Sequence, residues 1–465
     1  MTPNIDPQWA WEPYQPSAES PWDIKKVGHL YRRAAFGATW NELEEGLKAG
    51  PEGAVDSLLK GKRGQEAFAQ QTAPLAQSIS RANNGALARS WWLYRMLYSP
   101  HPLQEKLTLF WHNHFATSNA KVNNAGFMLG QYELMHRHAL GSFRDLLQDM
   151  SRDPAMMVWL DTSQSKKRMP NENYARELME LFSLGIGHYT EKDIREAARA
   201  FTGWEIKGGK GMFNPQQHDD SAKTVLGQTG KWTGADIVRI CLEQPSAPSF
   251  IVGKLYRFLV SDTVPATPEL LEPLTAEFRK RDYNFAVLVE KVLRSNLFFS
   301  PAAYRSRVKA PVDFAVGIVH ALEGRIGGSA LAQSLEELGQ NIFYPPSVKG
   351  WDGGQTWLNG QTLLTRQNLA LAMTSTEDPR FGRRTDPAAL IQKYGVKSDT
   401  EMVDFFLRLF LQGDVAADAR AKLVEYQQRS HKQTVPVYWT KQDAADHSIR
   451  TLCHLVLTLP EFQLD

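Results

Sequence analysis

A mainly α fold, a multi-helix globular bundle, is what this sequence predicts, on three observations. From Asp23 onward apolar residues recur at threes and fours. Helix-start signals precede several of these runs. The helical pattern then breaks at a long glycine-rich segment near 204–232 that reads as a small β-hairpin or loop insertion.

Residues 1–22 form an irregular arm in which Trp9, Trp11, Tyr14 and Trp22 alternate with prolines. Prolines oppose helix while the rings seek burial, so the arm is expected to lie on the body. Ile24, Val27, Leu30, Tyr31 and Ala34 then mark the first helix. Thr39-Trp-Asn-Glu42 fits a capping box and Pro51 fits a helix first turn. Further helices are expected near 85–98, 102–117, 123–139, 142–150, 172–184 and 190–203.

Between Gly203 and Gly234 lie Lys207-Gly-Gly-Lys-Gly211, Asn214-Pro215 and Gly227-Gln-Thr-Gly230, with β-prone Met212-Phe213 and Thr224-Val-Leu226. One or two hairpins fit this pattern. Helical spacing returns over 233–243, 247–260, 267–281, 284–297, 310–323 and 328–340. A second glycine-rich break, Tyr344 to Trp357, precedes a helix near 362–374 and a final helical section over 398–457. The organisation is therefore arm (1–22), N-terminal helical region (23–203), insertion (204–232) and C-terminal helical region (233–465), the two helical regions forming one continuous body.

Composition narrows the function. In 465 residues, 42% are hydrophobic and 22% charged, and lysine plus arginine exceed aspartate plus glutamate by 53 − 51 = 2. That balance leaves no electrostatic footprint for nucleic acid. No transmembrane segment is expected, because no run of eighteen or more apolar residues occurs. The first residues lack the basic-then-apolar plan of a signal peptide, which predicts a cytoplasmic protein. Cys241 and Cys453, far apart in apolar surroundings, read as free buried thiols. Phosphate loops, dinucleotide-binding glycine patterns, nucleophile elbows and zinc-protease pairs are missing, so no nucleotide cofactor is expected.

The residues with chemistry to offer fall into three groups. Phe110-Trp-His-Asn-His-Phe115 places His112 and His114 two residues apart. On a helix such residues point about 200° from each other, so both could ligate one metal only where the helix ends. Packed core histidines are the plain alternative. In Asn171 to Phe182, the residues Glu172, Asn173, Arg176, Glu177 and Glu180 share one arc of about 140° on a helical wheel. That arc is either a solvated face with a Glu172–Arg176 pair or the wall of a cleft. Loops supply the third group: His218-Asp219 in the insertion, and Trp351, Asp352 and Trp357 in the second glycine-rich break. Glu133-Leu-Met-His136 has the spacing used in di-iron bundles, but one such step falls short of the two required.

Several motifs occur together: His29-Leu-Tyr-Arg-Arg-Ala-Ala-Phe-Gly-Ala38, Phe110 to Ser118, Asn171 to Phe182, Tyr189-Thr-Glu-Lys-Asp193, Ala197 to Trp204 and Gly350-Trp-Asp-Gly-Gly354. In that order the chain resembles the bacterial family called domain of unknown function 1800, from about residue 23 to the end. The resemblance implies a largely helical fold. It also implies work near the cell envelope or on exopolysaccharide, because such proteins are often encoded beside an exported sulfatase-like family. It transfers no catalytic residues.

Three readings follow. In the first, a metal-assisted hydrolase or transferase acts on a saccharide or other polar substrate. One divalent metal ion is held by His112, His114 and His218, with Glu177, Glu180 and Asp219 as acids or bases and Arg176 neutralising charge. Asn173, Trp351, Asp352 and Trp357 contact the substrate. In the second, a metal-independent glycosidase pairs Glu177 with Asp219 or Asp352, which requires carboxyls about 5–5.5 or 6.5–9.5 Å apart. In the third, the chain is a scaffold for a polysaccharide or for a sulfatase-like protein partner.

Overall fold

The computed structural model describes residues 5–381, 384–430, 436 and 439–465. Among them the fold is mainly α, with two small two-stranded antiparallel sheets. Both sheets lie in the expected insertion. Trp204–Lys207 pairs with Lys210–Phe213, and Lys223–Val225 pairs with Gln228–Gly230.

The arm departs from expectation in one respect. Pro7–Trp11 is a single helical turn, because Pro7 occupies the first helical position and Asp6 caps it through the Gln8 N–H. Trp11, Tyr14 and Trp22 pack on the body, whereas Trp9 stays exposed. Trp11 Nε1 donates to Leu270 O at 2.6 Å, and Tyr14 lies 5.0 Å from Phe299.

Thr39 and Glu42 form the capping box of Trp40–Lys60, which bends where Gly50 takes φ 73° just before Pro51. The helix Gln65–Ala82 falls in a stretch that apolar spacing did not mark, and of its side chains only Thr72 and Ile79 are buried.

Buried apolar residues form one cluster running from Ala10 to Phe462. Within it lies a second kind of core, a polar one. Glu105 is fully buried and accepts from Trp92 Nε1 (3.2 Å), Arg95 Nε (3.0 Å) and the Tyr132 hydroxyl (2.9 Å). His136, the histidine of the Glu-x-x-His step, sits 3.4 Å from the same carboxylate. A carboxylate so enclosed is a structural tie, since burial is tolerated only with partners of this kind. No described helix is long and apolar enough to cross a membrane.

Three elements position the site. Pro102–His114 ends at its second histidine. The short α-helix Asn173–Glu177 widens into a π-helix over Leu178–Ser183. Ser246–Leu259 buries Ala247, Ile251, Val252, Leu255, Tyr256 and Leu259 against the core.

Candidate functional site

The two histidines of the aromatic motif face different surroundings, as their spacing requires. His112 is fully buried between the rings of Trp92 (5.2 Å) and Trp351 (5.6 Å). Its Nε2 accepts the Phe343 N–H at 3.2 Å, and burial pushes its pKa down to about 3. It is a neutral packing residue. His114, at the helix end, uses both nitrogens. Nε2 lies 3.1 Å from Phe182 O and therefore carries the hydrogen, because a carbonyl can only accept. Nδ1 is left with its lone pair, which faces Lys254 Nζ at 3.1 Å.

Lys254 is the centre of the site. Its ammonium or amine donates to His114 Nδ1 and, at 2.9 Å, to Leu181 O. Both the Leu181 and Phe182 carbonyls belong to the last turn of the π-helix, where oxygens lack donors within the helix. π-Helical turns are frequent at functional sites, and here the turn presents two carbonyls to side chains of two other helices. Burial, and then the charge of Arg257, lower the Lys254 pKa to about 7. The Phe250 ring, 4.7 Å from Nζ, covers another side. Gly185, with φ 85°, allows the chain after the π-helix to cross that ring, because a Cβ there would lie 3.0 Å from it.

These groups open into a cleft of about 760 Å³. Its floor and walls include Phe110, His114, Leu181, Phe250, Lys254 and Phe258, and its rim includes Glu180, His188, Arg257 and the 349–354 turn. The turn is locked onto the histidine helix. Trp351 N–H donates to Asn113 Oδ1 at 2.8 Å, and Asn113 Nδ2 donates back to Trp351 O at 3.3 Å. Gly350, at φ 86°, has no room for a Cβ, which would meet Asn113 Oδ1 at 2.3 Å. Two separate sequence motifs are thereby joined in one wall.

The charges of the cleft divide into spent and unspent. Lys349 pairs with Asp352 at 2.6 Å, and Arg307 with Asp262 at 3.4 Å. Glu180 accepts the Tyr189 hydroxyl at 2.7 Å. Among the described residues neither Lys254 nor Arg257, one turn apart on the same helix, meets a carboxylate.

Of the residues singled out from sequence, His114, Glu180, Trp351 and Asp352 line this cleft. Trp351 does so as a wedge, only 8% exposed, and Trp357 is buried outside the cleft wall. Arg176 faces solvent in a two-pronged pair with Glu191 at 2.7 and 2.8 Å, and Glu172 stands at 3.4 Å. Asn173 is exposed, its N–H donating to Asn171 Oδ1. Glu177 is half-buried, its carboxyl pushed up by burial and by the Glu180 charge.

His218 and Asp219 serve the insertion instead. His218 Nδ1 lies 3.0 Å from Thr202 O, and its ring packs on Phe213. Asp219 accepts from Arg199 Nε at 2.8 Å and from Ser221 N at 3.0 Å, which holds its carboxyl well below the usual range despite burial. The expected ligand set His112, His114 and His218 is therefore not assembled. Among the described residues no three of His, Cys, Asp or Glu are placed to hold a metal ion. His112, His114 and His218, each engaged with other partners, do not together fit a divalent cation.

Lys254 and Arg257 were not singled out from the sequence. The available signal was a lysine inside the stripe Ile251, Val252, Leu255, Tyr256, where an ammonium would need a partner that local spacing cannot supply.

A family model described as "Protein of unknown function (DUF1800)" matches residues 29–464. No curated protein and no solved structure matches the chain.

Proposed function

The chain belongs to the DUF1800 family of unknown function, and from the geometry of its cleft we propose that it is an enzyme, a hydrolase or transferase acting on an acidic saccharide or similarly polar anionic substrate. One observation carries this reading. Leu181 O and His114 Nδ1 hold two hydrogens of Lys254 Nζ, so the remaining tetrahedral position is directed away from both acceptors. In the neutral amine that position is a lone pair, and the cleft is the open space beside it.

With a pKa of about 7, roughly half of Lys254 is neutral at neutral pH, where a general base works best. Lys254 accepts the proton of an attacking water or hydroxyl as that oxygen bonds to the electrophilic carbon. As ammonium it returns a proton to the oxygen that leaves. Arg257, which among the described residues meets no carboxylate, attracts a negatively charged substrate. His114 is a positioning residue, its tautomer set by Phe182 O. No step in this reading runs through a metal.

The test is turnover of a panel of acidic saccharides by the wild type and by Lys254→Met. The reading expects the substitution to lower kcat by about 10²–10⁴-fold while substrate affinity persists. Equal turnover by both proteins would remove it. Tight binding of a polysaccharide, or of a sulfatase-like protein, without turnover would favour the scaffold reading.

A further inference from the structure

A desolvated lysine next to a second cation is also the environment that makes an amine attack carbonyl carbon. We propose that Lys254 captures aldehydes or ketones bearing a carboxylate or phosphate, forming an imine at Nζ while the anionic group rests on Arg257. The proposal relies on the same free position of Nζ as the preceding reading, but not on hydrolysis or transfer.

The geometry supplies each requirement. Nζ is fixed by two acceptors that belong to the protein frame, which leaves one direction of approach. Phe250 and Leu181 flank it and limit access of water. Arg257 lies one helical turn away with its guanidinium exposed and, among the described residues, without a carboxylate. The other cations near the rim, Arg307 and Lys349, already have Asp262 and Asp352. An incoming anion is thus directed to the end of the cleft that holds the amine.

The step balances without an external redox agent. The Nζ lone pair bonds to the carbonyl carbon, and the carbon–oxygen π pair moves to oxygen. One N–H proton is released to solvent while that oxygen takes one up, giving a carbinolamine. Loss of hydroxide, which takes a proton from solvent and leaves as water, yields the protonated imine. The one hydrogen remaining on Nζ keeps one of the two original acceptors.

The experiment uses the full chain with glyoxylate and sodium cyanoborohydride at pH 7, which fixes any imine as a stable secondary amine for peptide mapping. Lys254, fixed in a desolvated pocket, is expected to be labelled on the order of 10²-fold faster than exposed Lys48 and Lys192. Lys254→Met should lose that label alone. Glycolaldehyde, which is uncharged, serves as the comparison. Arg257→Met should lower the ratio of glyoxylate to glycolaldehyde labelling.

Labelling of Lys254 no faster than of Lys48 overturns the proposal. Fast labelling with a ratio unmoved by Arg257→Met overturns its anionic part. Turnover of acidic saccharides with Lys254 unlabelled refutes the imine alone. Fast labelling with no turnover leaves the imine and removes the general-base role.

Discussion

The cleft and the hairpin insertion each hold a histidine among charged neighbours, and they use them in opposite ways. In the insertion the groups around the histidine are consumed. Asp219 binds Arg199 and Ser221, Lys223 binds the Asp219 and Ser221 carbonyls, and His218 binds Thr202 O. In the cleft, Lys254 and Arg257 meet no carboxylate among the described residues, and one nitrogen has a direction left over. The proposed reactivity is assigned to the cleft because hydrogen-bonding capacity is unspent there. A glycine-rich loop rich in polar residues is not by itself such a place.

The comparison breaks most visibly in a rate. Lys254→Met is expected to cost about 10²–10⁴-fold in turnover, whereas Asp219→Asn in the same assay leaves turnover within about two-fold, since neither Asp219 nor its partners Arg199 and Ser221 line the cleft. A reversed order would move the active centre to the insertion.

Stability should give the mirror image. Asp219→Ala removes the partner of the half-buried Arg199, and a cost of about 2–3 kcal/mol is expected in urea unfolding. Glu196 still meets Arg199 at 2.8 Å, which keeps the loss below that of a fully orphaned charge. The Lys254 labelling rate should not change. A stable Asp219→Ala protein would show that the insertion is tied down elsewhere.

How much of this was legible follows from the range of the interactions. Helices and hairpins depend on near neighbours, so the 3.6-residue period, the Thr39–Glu42 box and the glycine-rich interruption located them. Gln65–Ala82 escaped because it buries too little side chain to show a stripe. Four cleft residues were visible because their motifs are chemically unusual. The meaning of His112 and His114 was not, because a nitrogen's partner (Phe343, Phe182 or Lys254) lies 68 to 231 residues away. Lys254 was hidden for the same reason: its two acceptors come from other helices, and without them it reads as one more lysine on an amphipathic surface.

A third contrast is in pH. Lys254 has its folded pKa depressed to about 7, below the unfolded value of about 10.4. Between those values the unfolded chain binds more protons, so stability rises with pH. The cost of burying the ammonium is fully present below pH 7 and is relieved as pH approaches 10. Lys254→Met should therefore be more stable than the wild type, by the largest margin below pH 7, with the gap narrowing as pH rises to 10. The window lies above the titration of His112 and His114, whose pKa values burial holds low. Parallel stability curves over this range would mean that the amine keeps its ordinary basicity, and the cleft would lose its claim to be different from the insertion.

The smallest effect concerns the polar helix edge that borders the cleft without entering it. Arg176 pairs with Glu191 and Glu172, all in contact with solvent, and such pairs contribute little because water screens them and the side chains lose freedom in forming them. Glu172→Ala should change stability by no more than about 0.5 kcal/mol and leave turnover untouched. The same helix contributes Glu180 to the cleft three residues after Glu177, so the edge turns from solvent to site within one widened turn. A loss of turnover in Glu172→Ala would extend the site along that edge and make Arg176, rather than Arg257, the cation that meets the substrate.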